Sequence, residues 1–156
     1  MIGDLPPKII VYILRYILTP YFPNWIPFFM PNPISADRIW SNPKVLALHT
    51  CKTYKNYGID GSGKAFRLLT AVNLLIALED VRDKVIPTLT IPFLIQHGTC
   101  DYGVPITGSE LLYEKSLTVQ KDKEFIRIDG AYHDLLADNQ ANYVVQNILN
   151  WINKRI

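Results

Sequence analysis

The sequence predicts an α/β fold. Its second half alternates short apolar runs with stretches of helical periodicity, in the order strand, helix, strand, helix. That order implies parallel strands joined by right-handed crossovers. The run Ile91-Pro92-Phe93-Leu94-Ile95-Gln96 breaks at His97-Gly98, and Asp101 follows three residues later. An apolar strand opening into a tight loop places an acid at the strand's carboxyl end, where open α/β sheets build their sites. With 49% apolar and 19% charged residues, the 156-residue chain has the composition of one core-forming domain.

Each element follows from local pattern. Asp4 can cap a first helix, with Pro6 and Pro7 in its first turn, where a missing N–H costs nothing. Ile9, Ile10, Ile13, Leu14, Ile17 and Leu18 then form one helical apolar face. That face suits either a core-facing helix or a lid over a lipid-binding cleft or membrane surface. Residues 19–43 contain six prolines, which break any long element, and Tyr21, Phe22, Trp25, Ile26, Phe28, Phe29 and Met30 between them. So many large apolar side chains are expected to be buried against the protein or a ligand. Ser41-Asn42-Pro43 reads as a turn into a short helix from Lys44 to Lys52.

Tyr57 to Lys64 is a glycine-rich loop, and Ala65 to about Val85 a long helix with Leu68, Leu69, Val72, Leu75, Ile76 and Leu78 apolar. Pro87 ends it. The Ile91–Gln96 strand tolerates Pro92 near its start. Thr107 or Ser109 can cap a helix running to Ser116, Glu124 to Ile128 is a second strand, and Asn139 to Lys154 closes the chain. Val144, Val145, Ile148, Leu149 and Ile152 mark the closing helix's inner face, and Lys154 and Arg155 suit its negative end. Two parallel strands need cover on both faces and neighbours at their edges. The chain is therefore expected to sit against further strands or another chain, or to be a damaged fold.

Composition excludes several classes. Net charge is +2 with Lys and Arg scattered, so nucleic acid is not an expected partner. Cys51 and Cys100 form neither a disulfide framework nor a metal cluster, and favour a reducing, cytoplasmic compartment. The Ile9–Leu18 run carries Arg15, lacks a basic leader and is too short to span a bilayer. Neither a signal peptide nor a transmembrane segment is read there.

Gly58-Ile59-Asp60-Gly61-Ser62-Gly63-Lys64 matches the phosphate-cradling G-x-x-x-x-G-K pattern. The Mg²⁺-holding Ser or Thr is replaced by Ala65, and no buried strand precedes the loop, so it reads as a flexible loop and helix start. Asp101 and His133 are the stronger pair. A serine hydrolase needs an acid to orient an imidazole and a histidine to take and return the nucleophile's proton. In α/β-hydrolases the order along the chain is nucleophile, acid, histidine. Here the histidine follows the next strand, 32 residues after the acid.

These motifs resemble the monoacylglycerol lipase group of α/β-hydrolases, which includes lysophospholipase-like and plant caffeoyl shikimate esterase-like members. The resemblance rests on Thr70-Ala71-Val72, on Ile91 through Asp101, on Ser109 through Lys115, on Gly130-Ala131-Tyr132-His133 and on Asn150-Trp151-Ile152. It implies that Asp101 is the triad acid and His133 the triad base. It implies a partial α/β-hydrolase fold, with residues 1–62 a helical cap and 63–156 the last two strands of the core with their helices. It implies a lipid or other ester as substrate, no cofactor and no metal, and peripheral membrane contact through the cap. Ser41-Asn42-Pro43 stands where the family often has Asn/Ser-Asp-Pro, so Asn42 departs from the usual acid.

The nucleophile is not found. Ser35, Ser41, Ser62, Ser109 and Ser116 all lack the flanking glycines of a G-x-S-x-G elbow. Cys100 adjoins Asp101 in the acid loop and does not replace a triad serine; it reads as a small, partly buried residue. In a well-studied protease, losing the nucleophile costs on the order of a millionfold in turnover. The family therefore implies an ester hydrolase, and the chain alone is expected to be almost inactive. The alternative is a catalytically inactive remnant that binds lipid or protein.

Overall fold

The computed structural model describes residues 7–28, 35–50 and 66–156. The glycine-rich loop at 58–64, Asp4, Cys51 and the expected boundary between residues 62 and 63 lie outside them.

Helix α1 runs as an α-helix over Lys8–Tyr12 and then as a wider π-helical segment over Ile13–Leu18, the two forming one continuous helix. Its end is closed by Thr19, whose backbone N–H and hydroxyl both donate to the Leu14 carbonyl, at 3.0 and 2.6 Å. Two short helices follow, α2 (Ala36–Ile39) and α3 (Pro43–Thr50). Asn42 caps α3 by accepting the Lys44 N–H at 3.0 Å, and Pro43 occupies the first position, where proline fits. Helix α4 (Leu68–Asp80) runs into π-helical turns (Val81–Val85) and a 3₁₀ turn (Ile86–Thr88). Its first turn has no side-chain cap; the carbonyls of Trp25 and Pro23 accept the Leu68 and Leu69 N–H groups instead, at 2.7 and 3.0 Å.

Strand β1 (Phe93–Gly98), helix α5 (Ile106–Lys115) and strand β2 (Lys123–Ile128) form a parallel β-α-β unit. Phe93 pairs with Lys123 and Gly98 with Ile128, so the strands end level and the loops beyond them lie side by side. Lys123 donates its ammonium to the Tyr113 carbonyl at 2.7 Å, placing a cation at the carboxyl end of α5. Helix α6 (Ala141–Asn153) packs on β2. Its Val144 carbonyl accepts Gln96 Nε2 at 3.1 Å, and Asn147 donates to Gln96 Oε1 at 2.9 Å. The expected basic end is present: Arg155 donates to the Trp151 carbonyl at 3.0 Å and lies over the Trp151 ring.

The apolar interior has two centres. Leu14, Leu68 and Val72, joined by Leu18 and Ile76, pack α1 against α4. Ile128, Ala131 and Val144, joined by Ile126, Leu135 and Ile148, pack α6 and the loop after β2 onto the sheet. The inner face expected on α6 is buried only in part, and other apolar side chains reach solvent at the edges of these centres. Ile9 and Ile17 of α1, Leu69 and Leu78 of α4, and Val145, Leu149 and Ile152 of α6 are exposed. Each apolar stripe is wider than the neighbour that covers it. Tyr21, Phe22 and Phe28 are also exposed, Phe28 at 91%. Backbone hydrogen bonds to α4, not burial of rings, fix residues 23–25. Helix α5 begins behind Pro105 with no side-chain cap, and Ser109 bonds His97 instead.

Candidate active site

Asp101 and His133 meet in the two loops beyond the level strand ends. His133 Nδ1 lies 2.8 Å from Asp101 Oδ2. A carboxylate only accepts, so Nδ1 carries the proton and Nε2 keeps a lone pair. The Asp101 side chain is 5% exposed and that of His133 43%. The other carboxylate oxygen, Oδ1, accepts the N–H groups of Gly103 and Val104, each at 2.8 Å. Burial pushes the Asp101 carboxyl up, but the hydrogen bonds from His133, Val104 and Gly103 outweigh it, and its pKa lies below the ordinary value. The bond to Asp101 holds the His133 pKa above the ordinary value; burial opposes this, and the negative charges of Asp101 and Asp134 add to it.

Gly98 allows the two loops to touch. A Cβ built there would sit 2.2 Å from the Ala131 carbonyl oxygen and 2.6 Å from the Tyr132 oxygen. The contact is closed by the Thr99 N–H to the Ile128 carbonyl and the Cys100 N–H to the Ala131 carbonyl, both at 3.0 Å. The Thr99 hydroxyl adds two bonds, accepting the Gly130 N–H at 2.9 Å and donating to Asp129 at 3.2 Å. Gly130 itself adopts a left-handed φ of 68°, which a side chain would strain.

His97 braces the acid loop from beneath. It is buried, with Nε2 3.0 Å from the Val104 carbonyl and 3.3 Å from Asp101 Oδ2. Both neighbours accept, so Nε2 is protonated. Nδ1 meets the Ser109 hydroxyl at 2.8 Å. Sequence reasoning placed His97 in a motif without a role; its spacing of four from Asp101 was the available signal. Cys100 is partly exposed and holds its loop through its backbone. Behind His133, Asp134 accepts Trp40 Nε1 at 2.9 Å, and Asp138 accepts donors from Ser41 and Asn42. Nothing in the local sequence pattern announced these two contacts.

Parallel strands with a polar pair beyond their carboxyl ends, flanked by helices, place the chain among the α/β-hydrolases as part of that fold. The family model described as Serine aminopeptidase, S33 matches residues 3–140, and the chain belongs to that hydrolase family. Its relatives include monoacylglycerol lipases. The monoacylglycerol lipase of Mycolicibacterium smegmatis is 25% identical over 119 residues, 76% of this chain and 39% of that protein. The monoglyceride lipase of Mus musculus is 33% identical over 87 residues, 54% of this chain and 28% of that protein. The crystal structure of the Paleococcus ferrophilus monoacylglycerol lipase superposes with a TM-score of 0.69 at 21% identity, over 95% of this chain and 52% of that one, a likeness of fold. The chain thus spans about half or less of the length of the relatives it matches. Among the described residues, no helix is long and apolar enough to cross a membrane.

Proposed function

We propose that Asp101 and His133 are the acid and base of a Ser-His-Asp triad that hydrolyses acyl esters, with the nucleophile supplied from outside these 156 residues. The observation that supports it is the 2.8 Å bond between His133 Nδ1 and Asp101 Oδ2. That bond leaves Nε2 as the basic nitrogen. In the reaction Nε2 takes the proton of the attacking serine hydroxyl, whose oxygen bonds the ester carbonyl carbon. The imidazolium then protonates the departing alcohol, leaving an acyl-enzyme. Water then gives a proton to the same nitrogen as its oxygen bonds the acyl carbon, and the imidazolium returns that proton to the serine oxygen as the acyl bond breaks and the carboxylic acid departs. Asp101 stays ionised throughout and stabilises the imidazolium, as its low pKa favours. Residues 1–62 would be the cap over the acyl chain and 63–156 the core that carries the pair.

The test is labelling with a fluorophosphonate probe together with hydrolysis of a short-chain ester. The 156-residue chain should give neither. Joined to an adjoining coded segment bearing G-x-S-x-G, it should give both, and His133→Ala should abolish both. Labelling of the 156-residue chain itself would overturn the claim that the nucleophile lies elsewhere.

The exposed apolar side chains of Ile9, Ile17, Tyr21, Phe22 and Phe28 support a second reading, a catalytically inactive module that binds lipid or a partner chain. Vesicle binding by a chain that no adjoining segment renders reactive to the probe would favour it.

A further inference from the structure

The turn after His133 is held by a segment nearly a hundred positions earlier. Asp138 is 6% exposed, although carboxylates are rarely buried without compensation. Its Oδ2 accepts the Ser41 N–H at 2.6 Å. Its Oδ1 accepts the Ser41 hydroxyl at 3.0 Å, the Asn42 N–H at 2.9 Å and the Asn139 N–H at 2.8 Å. Burial alone would push this carboxyl up; the bonds from Ser41, Asn139 and Asn42 bring it below the ordinary value, so it is ionised at neutral pH. Amide pairing reinforces the contact, with Asn42 Nδ2 on Asn139 Oδ1 at 2.9 Å and Asn139 Nδ2 on Ser41 Oγ at 3.2 Å.

The other end of the turn is tied to the same segment. The Asp134 N–H donates to the Ile39 carbonyl at 3.2 Å, and its carboxylate accepts buried Trp40 Nε1 at 2.9 Å. The second Asp134 oxygen accepts the Ala137 N–H at 3.2 Å, which closes the turn on itself. Residues 134–138 are thus fixed at both ends by residues 39–42. On the side facing the acid, the chain leading to His133 is fixed by the Ala131 carbonyl bonded to Cys100. Yet the His133 ring is nearly half exposed and makes its bond to Asp101 from a loop. Its aim depends on the backbone that carries it.

We propose that Asp138 is a positioning residue for His133, anchoring the histidine turn to Ser41 and Asn42 so that residues 39–42 set the imidazole against Asp101. A shift of residues 39–42 is then transmitted to the base through hydrogen bonds, without either segment touching the reacting atoms. The inference rests on the reading of His133 as the base.

The full chain has three histidines, so their Cε1–H resonances can be followed by NMR through a pH titration, with His133 assigned by its loss in His133→Gln. Asp101 and Asp134 are the charged groups that act on His133 and are left unaltered. In Asp138→Asn the His133 pKa should fall towards the ordinary histidine value, and the Ser41 and Asn42 amides should exchange about tenfold faster, as expected for one lost hydrogen bond. Should that variant fail to fold, Ser41→Ala removes the hydroxyl that donates to Asp138 and accepts from Asn139, leaves the three main-chain donors to Asp138 in place, and should move His133 in the same direction by less. A His133 pKa that is not raised in the unaltered chain refutes the Asp101–His133 pair itself. A raised pKa that persists in a folded Asp138→Asn chain, or in Ser41→Ala where that is the folded variant, refutes the role of Asp138 alone.

Discussion

Replacing Gly98 with alanine tests whether the contact between the two loops holds the Asp101–His133 pair. The new Cβ would lie 2.2 Å from the Ala131 oxygen, 2.6 Å from the Ala131 carbonyl carbon and 2.6 Å from the Tyr132 oxygen. All three are backbone atoms, so no side chain can swing aside. The two loops must separate by roughly 1 Å to restore an ordinary contact. Such a movement lengthens the 3.0 Å bond from the Cys100 N–H to the Ala131 carbonyl beyond useful range. Overpacking costs about 1–3 kcal/mol and the lost bond about 1 kcal/mol, so a destabilisation of about 2–4 kcal/mol is expected. Urea unfolding followed by tryptophan fluorescence measures it, with Trp25, Trp40 and Trp151 as reporters. The His133 titration measures the accompanying loss of alignment, its pKa falling towards the ordinary value. A change below about 0.5 kcal/mol, the scale of neutral surface substitutions, with His133 unmoved, would refute the reasoning.

Asp101→Asn keeps an oxygen for the Gly103 and Val104 N–H groups but turns an amide donor towards His133. The imidazole should lose its raised pKa and move its proton from Nδ1 to Nε2, visible in the nitrogen chemical shifts. The same pair sets a pH window. A raised His133 pKa stabilises the fold below the unfolded value near ~6.5 and loses that contribution as pH rises through the folded value. A lowered Asp101 pKa stabilises above the unfolded value near ~3.9 and loses it as pH falls through the folded value. Both contributions are complete between about pH 4 and 6.5, so stability from this pair falls on either side of that window, and those falls should shrink in Asp101→Asn. Leu68→Ala opens the centre between α1 and α4, where Leu68 is 1% exposed, and should cost about 2–5 kcal/mol by urea unfolding. Because that centre is separate from the one beneath the sheet, the His133 titration should stay in place.

What the sequence made legible was local. Strand β1 and the acid beyond it are written in one run of eleven residues, Ile91 to Asp101, and the parallel register follows from the strand-helix-strand order. Asp101 and His133 could be paired because level strand ends bring equivalent loops together. The stripes on α1, α4 and α6 gave helices correctly, and the stripe on α6 overstated burial. A hydrophobic period reports which residues share a face, not how much of that face a neighbour covers: Val144 is buried while Val145 and Leu149 are exposed. The number of aromatic residues at 21–28 argues for burial against the protein or a ligand, and the protein itself leaves Tyr21, Phe22 and Phe28 exposed. The segment is held to α4 by the carbonyls of Pro23 and Trp25, which no side-chain pattern encodes, and by Asn24 accepting Arg67.

Asp138 shows the same limit at the candidate site. Its four donors include three main-chain N–H groups, and two of those belong to Ser41 and Asn42, in a different part of the chain. A backbone donor is available from any residue but proline, so identity at 41 and 42 predicts little of this contact. Asn42 contributes its N–H here, and its side chain caps α3 and pairs with Asn139. An acid at that position could still accept the Lys44 N–H, but its other oxygen would face the Asn139 oxygen and could not donate to it. Asn42 therefore supplies a donor that an acid would not, and that donor adds a bond between residues 39–42 and the turn that carries His133.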